Sequence, residues 1–165
     1  MLKYRVIPIL SFNGIALVKT KQFSKNARMI GNPVQTARVY NYRNVDELVF
    51  VDIHASLKKR KINLSLVKKI IDECFMPVAI GGGIKNKSDI QDLLDIGADK
   101  VVIKTAVIEN PNFINEAANI FGNQCISISL DAIKKNDGKY YLENIKNENI
   151  PLLEFIETIK NLNYG

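Results

Sequence analysis

"VAIGGGI", residues 78–84, joins a strand-length apolar run to three consecutive glycines. Val and Ile favour a pleated surface, and apolarity at every position is what a strand covered on both faces requires. Gly is costly inside regular structure. It is kept where φ must be positive or where backbone must come close to something. Three at a strand end mark a tight turn whose bare N–H groups suit an anion, often a phosphate. A plain strand-to-helix turn would need the same residues, so the flanking segments have to decide.

Similar runs recur on both sides. "YRVIPIL" (4–10), "ELVFVDI" (47–53), "PVAI" (77–80), "KVVI" (100–103) and "CISISL" (125–130) read as strands buried in a sheet. Helical patterns lie between them. Asn32-Pro33 and Asn110-Pro111 each offer a cap followed by a first-turn proline. "LSLVKKIIDECF" (64–75) places Leu64, Leu66, Val67, Ile70 and Ile71 on one face, and Gly97 and Gly122 stand where helices should end. "KKNDGKYYL" (134–142) reads as a hairpin turning at Asp137-Gly138, and "PLLEFIETIKNL" (151–162) as a last amphipathic helix. The order β-α-β-α-β-α-β-α-β, hairpin, α predicts an α/β protein with a parallel sheet and helical crossovers. An open doubly wound sheet and a (β/α)₈ barrel both fit this order. Five βα units are present, whereas a barrel takes eight and typically about 250 residues. "VIPILS" (6–11) and "ISISLD" (126–131) echo each other four units apart, with Ser11 opposite Asp131.

Bulk properties narrow the class. The 165 residues are 47% hydrophobic and 24% charged, as in one ordinary globular domain. No apolar run approaches the roughly 18 residues of a membrane span. "MLKYRVIPIL" lacks a signal peptide's apolar core and cleavage site, so a cytoplasmic protein with no membrane association is expected. Cys74 and Cys125 sit in apolar contexts and read as buried thiols, and one histidine builds no His-rich metal site. The net charge of +6 is spread along the chain. Its one compact basic run, Lys58 to Lys61, has no interleaved aromatics or recognition motif, so a phosphorylated small molecule is a better partner than nucleic acid.

In parallel α/β folds the working groups stand at the carboxyl ends of strands. Those positions hold Ser11, Asp52, Gly81 to Gly83, Lys104-Thr105 and Asp131. A carboxylate at the end of an apolar run, as in "ISLDA", is poorly solvated and needs a purpose or a partner. Lys104, Thr105 and the N–H groups after them, beside Gly82 and Gly83 of the preceding strand, could cradle one phosphate. His54 reads as a loop residue. At the opposite ends stand Arg5, Glu47 and Lys100, three charges of mixed sign that must pair if they point into one barrel mouth.

With "RVIPIL", "DELVFVDIHAS", "PVAIGGGI", "GADKVVIKTAVIENP" and "FGNQCISISLDA" in view, the chain resembles the cyclase subunit of imidazole glycerol phosphate synthase. The resemblance runs in register from Met1 to Gly165. It implies a (β/α)₈ barrel of which these residues supply the first five units, as a single domain cut before strands six to eight. It implies no cofactor or metal, and a glutaminase partner that hands over ammonia. In that family ammonia is added to a ribulosyl-formimino nucleotide, giving imidazole glycerol phosphate and an aminoimidazole carboxamide ribotide. Residue by residue, the resemblance makes Asp131 a catalytic aspartate and Lys19 a mobile-loop lysine. It puts one phosphate by Gly83 and Thr105, an ammonia gate on Arg5, Glu47 and Lys100, and Asp99 toward the partner.

Two positions depart from the family. Its other catalytic aspartate falls on Ser11, and an alcohol does not replace a carboxylate as general base without an activating base of its own. An asparagine beside the phosphate site is here Lys104. With "ECFMP" (73–77) and "IGNPVQTARVYN" (30–41), these changes resemble a paralogous branch linked to acetamidino modification of sugars in bacterial surface polysaccharides. There the barrel is expected to pass ammonia to a separate sugar amidotransferase. A genuine histidine-pathway cyclase and a non-catalytic ammonia conduit are the two alternatives.

Overall fold

In the computed structural model the structure describes residues 4–21, 26–144, 146 and 148–165, so the start of the "MLKYRVIPIL" segment lies outside them. The chain forms two compact units, Met1–Val102 and Ile103–Gly165.

The first unit carries β1 (Ile9–Phe12), β2 (Leu17–Lys19), β3 (Arg28–Gly31), α1 (Pro33–Tyr42), β4 (Leu48–Asp52), α2 (Leu64–Ile71), β5 (Val78–Gly81), α3 (Lys87–Asp95) and β6 (Lys100–Ile103), whose last residue begins the second unit. Its strands lie in the order β3-β2-β1-β4-β5-β6. The crossover pairs are parallel: Phe12 stands opposite Asp52, Val51 opposite Gly81 and Gly81 opposite Val102. Asp52 and Gly82 therefore stand at the carboxyl ends of β4 and β5, along one edge of the sheet. Every side chain of β5 is buried, as the continuous apolar run requires, and Leu48, Phe50, Ile80 and Val101 are fully enclosed. The helices start where polar caps stand. Asn32 accepts from the N–H groups of Val34 and Gln35, Asn63 accepts from Leu66, and Asn86 forms a reciprocal capping box with Asp89.

The sequence places the first strand at 4–10, but the ladder runs over 9–12 because Pro8 brings no N–H to it. Pro8 still accepts from Val49 N, and Val6 exchanges bonds with Asp46, so this extended segment docks before β1 without being a strand. Nothing in the apolar pattern announces β2 and β3, which are short; β3 is exposed throughout. They form because Asn13 Oδ1 accepts from the N–H groups of Ile15 and Ala16 and turns the chain back along β1.

The second unit holds α4 (Thr105–Glu109), α5 (Phe113–Phe121), a 3₁₀ turn at Asn123–Cys125, β7 (Ile126–Ile128), β8 (Ala132–Lys134), β9 (Tyr140–Leu142) and α6 (Leu152–Ile159). Asn110-Pro111 does not begin a helix: Asn110 is extended and closes α4, and α5 starts at Phe113 without a side-chain cap. The fifth expected strand, 125–130, is trimmed to β7, after which Ser129 N donates to Ile103 O. The hairpin forms as the Asp137-Gly138 turn dictates, pairing Ala132 with Leu142. Among the described residues no helix is long and apolar enough to cross a membrane. Cys74 and Cys125 are free thiols, but each is half-buried rather than enclosed.

Candidate functional site

At the amino ends of the first unit's strands, Glu47 is almost fully buried just before β4. A buried carboxylate needs a counter-charge, and Lys100, the first residue of β6, supplies it with Nζ 3.2 Å from Oε1 and 3.3 Å from Oε2. Arg5 Nη1 lies 3.6 Å from Oε2, its side chain largely in solvent. The three gate positions do converge. Asp99 is exposed, yet its Oδ2 accepts from Val78 N at 2.8 Å and ties the start of β6 to β5.

At the carboxyl ends, Asp52 is enclosed at the end of β4 and held by Arg60 on both oxygens, Nη1 at 2.6 Å from Oδ2 and Nη2 at 2.9 Å from Oδ1. His54 N donates to Oδ1 at 3.1 Å, and the His54 ring Nδ1 lies 3.2 Å from Asn13 O. This network also explains the glycines. Gly82 has φ +120° and a Cβ there would stand 2.5 Å from Asp52 O; Gly83 has φ +72° and a Cβ would stand 2.7 Å from Arg60 O. Side chains are excluded by the chain's own β4–α2 connection, so the glycines are needed whether or not an anion binds. The plain-turn reading, left open from sequence, accounts for the glycines by itself.

Ser11 sits inside β1, opposite Val51, rather than after the strand. Lys19 is not on an irregular loop: it ends β2 and pairs with Arg28 in an antiparallel ladder. Beside the glycine turn lies a small concavity of about 20 Å³, where Lys61 Nζ stands 2.8 Å from Asp89 Oδ1 and 3.6 Å from Asp92 Oδ2. Burial pushes the Asp89 carboxyl up, but the Lys61 ammonium and the N–H groups of Lys85 and Asn86 outweigh it and hold the carboxyl below its usual range.

In the second unit Lys104 follows β6 and reaches Asp131, Nζ to Oδ2 at 2.7 Å, with both side chains about one-third exposed. The partner that the sequence demanded for Asp131 is thus Lys104. Thr105 opens α4, and Lys104 and Thr105 line a concavity of about 30 Å³ with Ile108, Glu109, Asn144 and Lys146. Asp131 is not part of that lining.

Sequence reading missed Arg60 and Lys61, whose basic run looks like a solvated face. The available signal was Asp52 itself, since an enclosed carboxylate calls for a cation within reach.

A parallel sheet with crossover helices, polar groups following its carboxyl strand ends and a charged cluster at the amino ends of its strands define an α/β scaffold of the (β/α)₈-barrel kind. The chain belongs to the family of histidine biosynthesis proteins, which it matches over residues 5–165. It is 47% identical over 137 residues to a Campylobacter jejuni protein provisionally named imidazole glycerol phosphate synthase subunit hisF2, covering 83% of this chain and 54% of that one. It is 41% identical over 150 residues to imidazole glycerol phosphate synthase subunit HisF of Methanococcus maripaludis, covering 91% and 55%. For the HisF of Natranaerobius thermophilus the figures are 38% over 162 residues, 97% and 64%. The chain spans between about half and two thirds of the length of these relatives.

Proposed function

We propose that this chain is the amino-terminal part of an imidazole glycerol phosphate synthase cyclase-like subunit that receives ammonia from a glutaminase. The observation that carries the reading is the cluster around Glu47. An enclosed carboxylate shared by Lys100 and Arg5 at the amino strand ends is the charge cluster expected of an ammonia gate.

The reading extends to the branch. Ser11 offers a hydroxyl where cyclisation needs a proton acceptor, and Asp131 is held by Lys104. A hydroxyl donates and accepts hydrogen bonds but does not take up a proton at neutral pH. We therefore assign the protein to ammonia delivery for amidination of a bacterial surface-polysaccharide sugar, through a separate sugar amidotransferase, rather than to histidine synthesis. In this account Asp131, Ser11 and Lys19 face a substrate-derived ligand, Gly82, Gly83, Lys104 and Thr105 serve its anionic group, Asp52 supports that binding set through its Arg60 pair, and Asp99 faces the glutaminase. The similarity to the Campylobacter jejuni hisF2 protein supports the paralogous branch.

The test is to co-produce the protein with each glutaminase of its own genome. A partner that co-purifies and whose glutamine hydrolysis rises on binding supports the reading. If none binds, the ammonia-receiving role is wrong.

A further inference from the structure

Asp52 gathers two residues around its carboxylate. Arg60 takes both oxygens, and Oδ1 also accepts from the backbone N–H of His54 at 3.1 Å. Both residues then reach the turn between β1 and β2. His54 Nδ1 lies 3.2 Å from Asn13 O, and Gly14, at φ +97°, is so close to the guanidinium that a Cβ there would stand 2.6 Å from Arg60 Nη2. Asn13 closes the turn from within: its N–H donates to Ala16 O, and its Oδ1 accepts from the N–H groups of Ile15 and Ala16. Past the turn, β2 is tied to β1 at the pair Phe12–Leu17, and its register with β3 shifts directly afterwards, between Leu17 and Val18. The course of β2, which ends on Lys19, is therefore set where the turn leaves β1.

We infer that His54 is a positioning residue: its ring donates from Nδ1 to the Asn13 carbonyl and, with Arg60 against Gly14, fixes the turn that aims β2 and Lys19. A carbonyl only accepts, so the ring proton sits on Nδ1. An imidazole free in water favours the proton on Nε2, and the bond to Asn13 selects the other tautomer. A residue that reads from sequence as part of a loop thus serves Lys19 through the backbone. Its value to function rests on the role proposed for Lys19; its hold on the turn does not.

His54 is the one histidine of the chain, so its ring nitrogens need no assignment. Long-range ¹H–¹⁵N spectra of the wild type, at a pH about two units above the ordinary imidazole pKa, should show the Nδ1–H tautomer. His54→Ala should speed amide exchange in β2 and β3 about two- to tenfold, the factor that one hydrogen bond supplies, while the amides of β4 and β5 keep their rates. His54→Asn, whose side-chain N–H can stand where Nδ1–H does, should restore slow exchange. The ¹³Cε signal of Lys19, assigned by its absence from Lys19→Arg, should shift in His54→Ala and return in His54→Asn. His54→Phe, which keeps the bulk and loses the donor, takes the place of His54→Ala if that variant folds poorly. An Nε2–H tautomer in the wild type overturns the inference, as does exchange in β2 and β3 that loss of the donor leaves unchanged. Exchange that speeds equally through β4 and β5 marks a general loss of stability and overturns it too. None of these measurements uses a partner or a ligand, so their outcome is separate from the test of ammonia reception.

Discussion

Arg60 grips Asp52 through both carboxylate oxygens at 2.6 and 2.9 Å, and the backbone of the same two residues fills the space above Gly82 and Gly83. One ion pair therefore fixes the end of β4 against the glycine turn after β5. Asp52→Ala should leave the guanidinium, about one-third exposed, without its counter-charge, a loss of about 1–3 kcal/mol. Gly82→Ala should also destabilise, since its Cβ would meet Asp52 backbone at a strained φ. Urea midpoints of the two variants check this; a midpoint within error of wild type for Asp52→Ala would contradict the pairing.

The cluster at the opposite strand ends predicts an order of effects. Glu47→Ala removes the enclosed acceptor and should cost about 1–3 kcal/mol by leaving Lys100 unmatched. Arg5→Ala removes a contact at 3.6 Å from a side chain mostly in solvent and should cost below about 1 kcal/mol. Thermal melts of both, compared under one condition, test the order. Equal effects would mean that Arg5 is as fixed as Lys100.

Asp89 predicts the shape of the acid limb. Its folded-state carboxyl is held below the ordinary aspartate value of about 4, so its contribution is present above that value and is lost as pH falls through the lower folded one. Asp89→Asn should be destabilised at pH 7, and its deficit against wild type should shrink below about pH 4. A deficit independent of pH would show that the Lys61 contact contributes nothing.

These residues also show what sequence makes visible. Apolar runs announced β4, β5 and β6 because strands buried on both faces leave a continuous signature, and the cap at Asn32 stands where α1 begins, whereas Asn110 caps no helix and the caps at Asn63 and Asn86 went unread. β2 and β3 were invisible: strands of three and four residues, the second exposed on all sides, have no hydrophobic pattern to read. The Glu47 cluster could be anticipated from charge at strand starts, since charges there must pair. That Asp131 and Asp52 need a cation was legible, but that the cations are Lys104 and Arg60 was not, because neither pairing lies at a periodic spacing. Their partners are chosen by how loops fold back onto strand ends.

Cys74 offers a check on local packing. Burial, with a smaller contribution from the Glu73 charge, pushes its thiol up to about 11. In a Cys125→Ser background, alkylation by iodoacetamide should be slow at pH 8 and should keep accelerating beyond pH 9. A rate that levels off near pH 9 would show a solvated thiol at this position.

The central claim is the proposal that this subunit passes ammonia on without performing cyclisation, which assigns Ser11 and Asp131 to the two catalytic positions. The most direct measurement supplies the purified protein with excess ammonia and the ribulosyl-formimino nucleotide and follows imidazole glycerol phosphate chromatographically. The account predicts no product above the enzyme-free control for wild type, and at most a trace for Ser11→Asp while Lys104 remains. Turnover of about 1 s⁻¹ or more by the wild type, an ordinary enzymatic rate, would contradict it and make the protein a histidine-pathway cyclase.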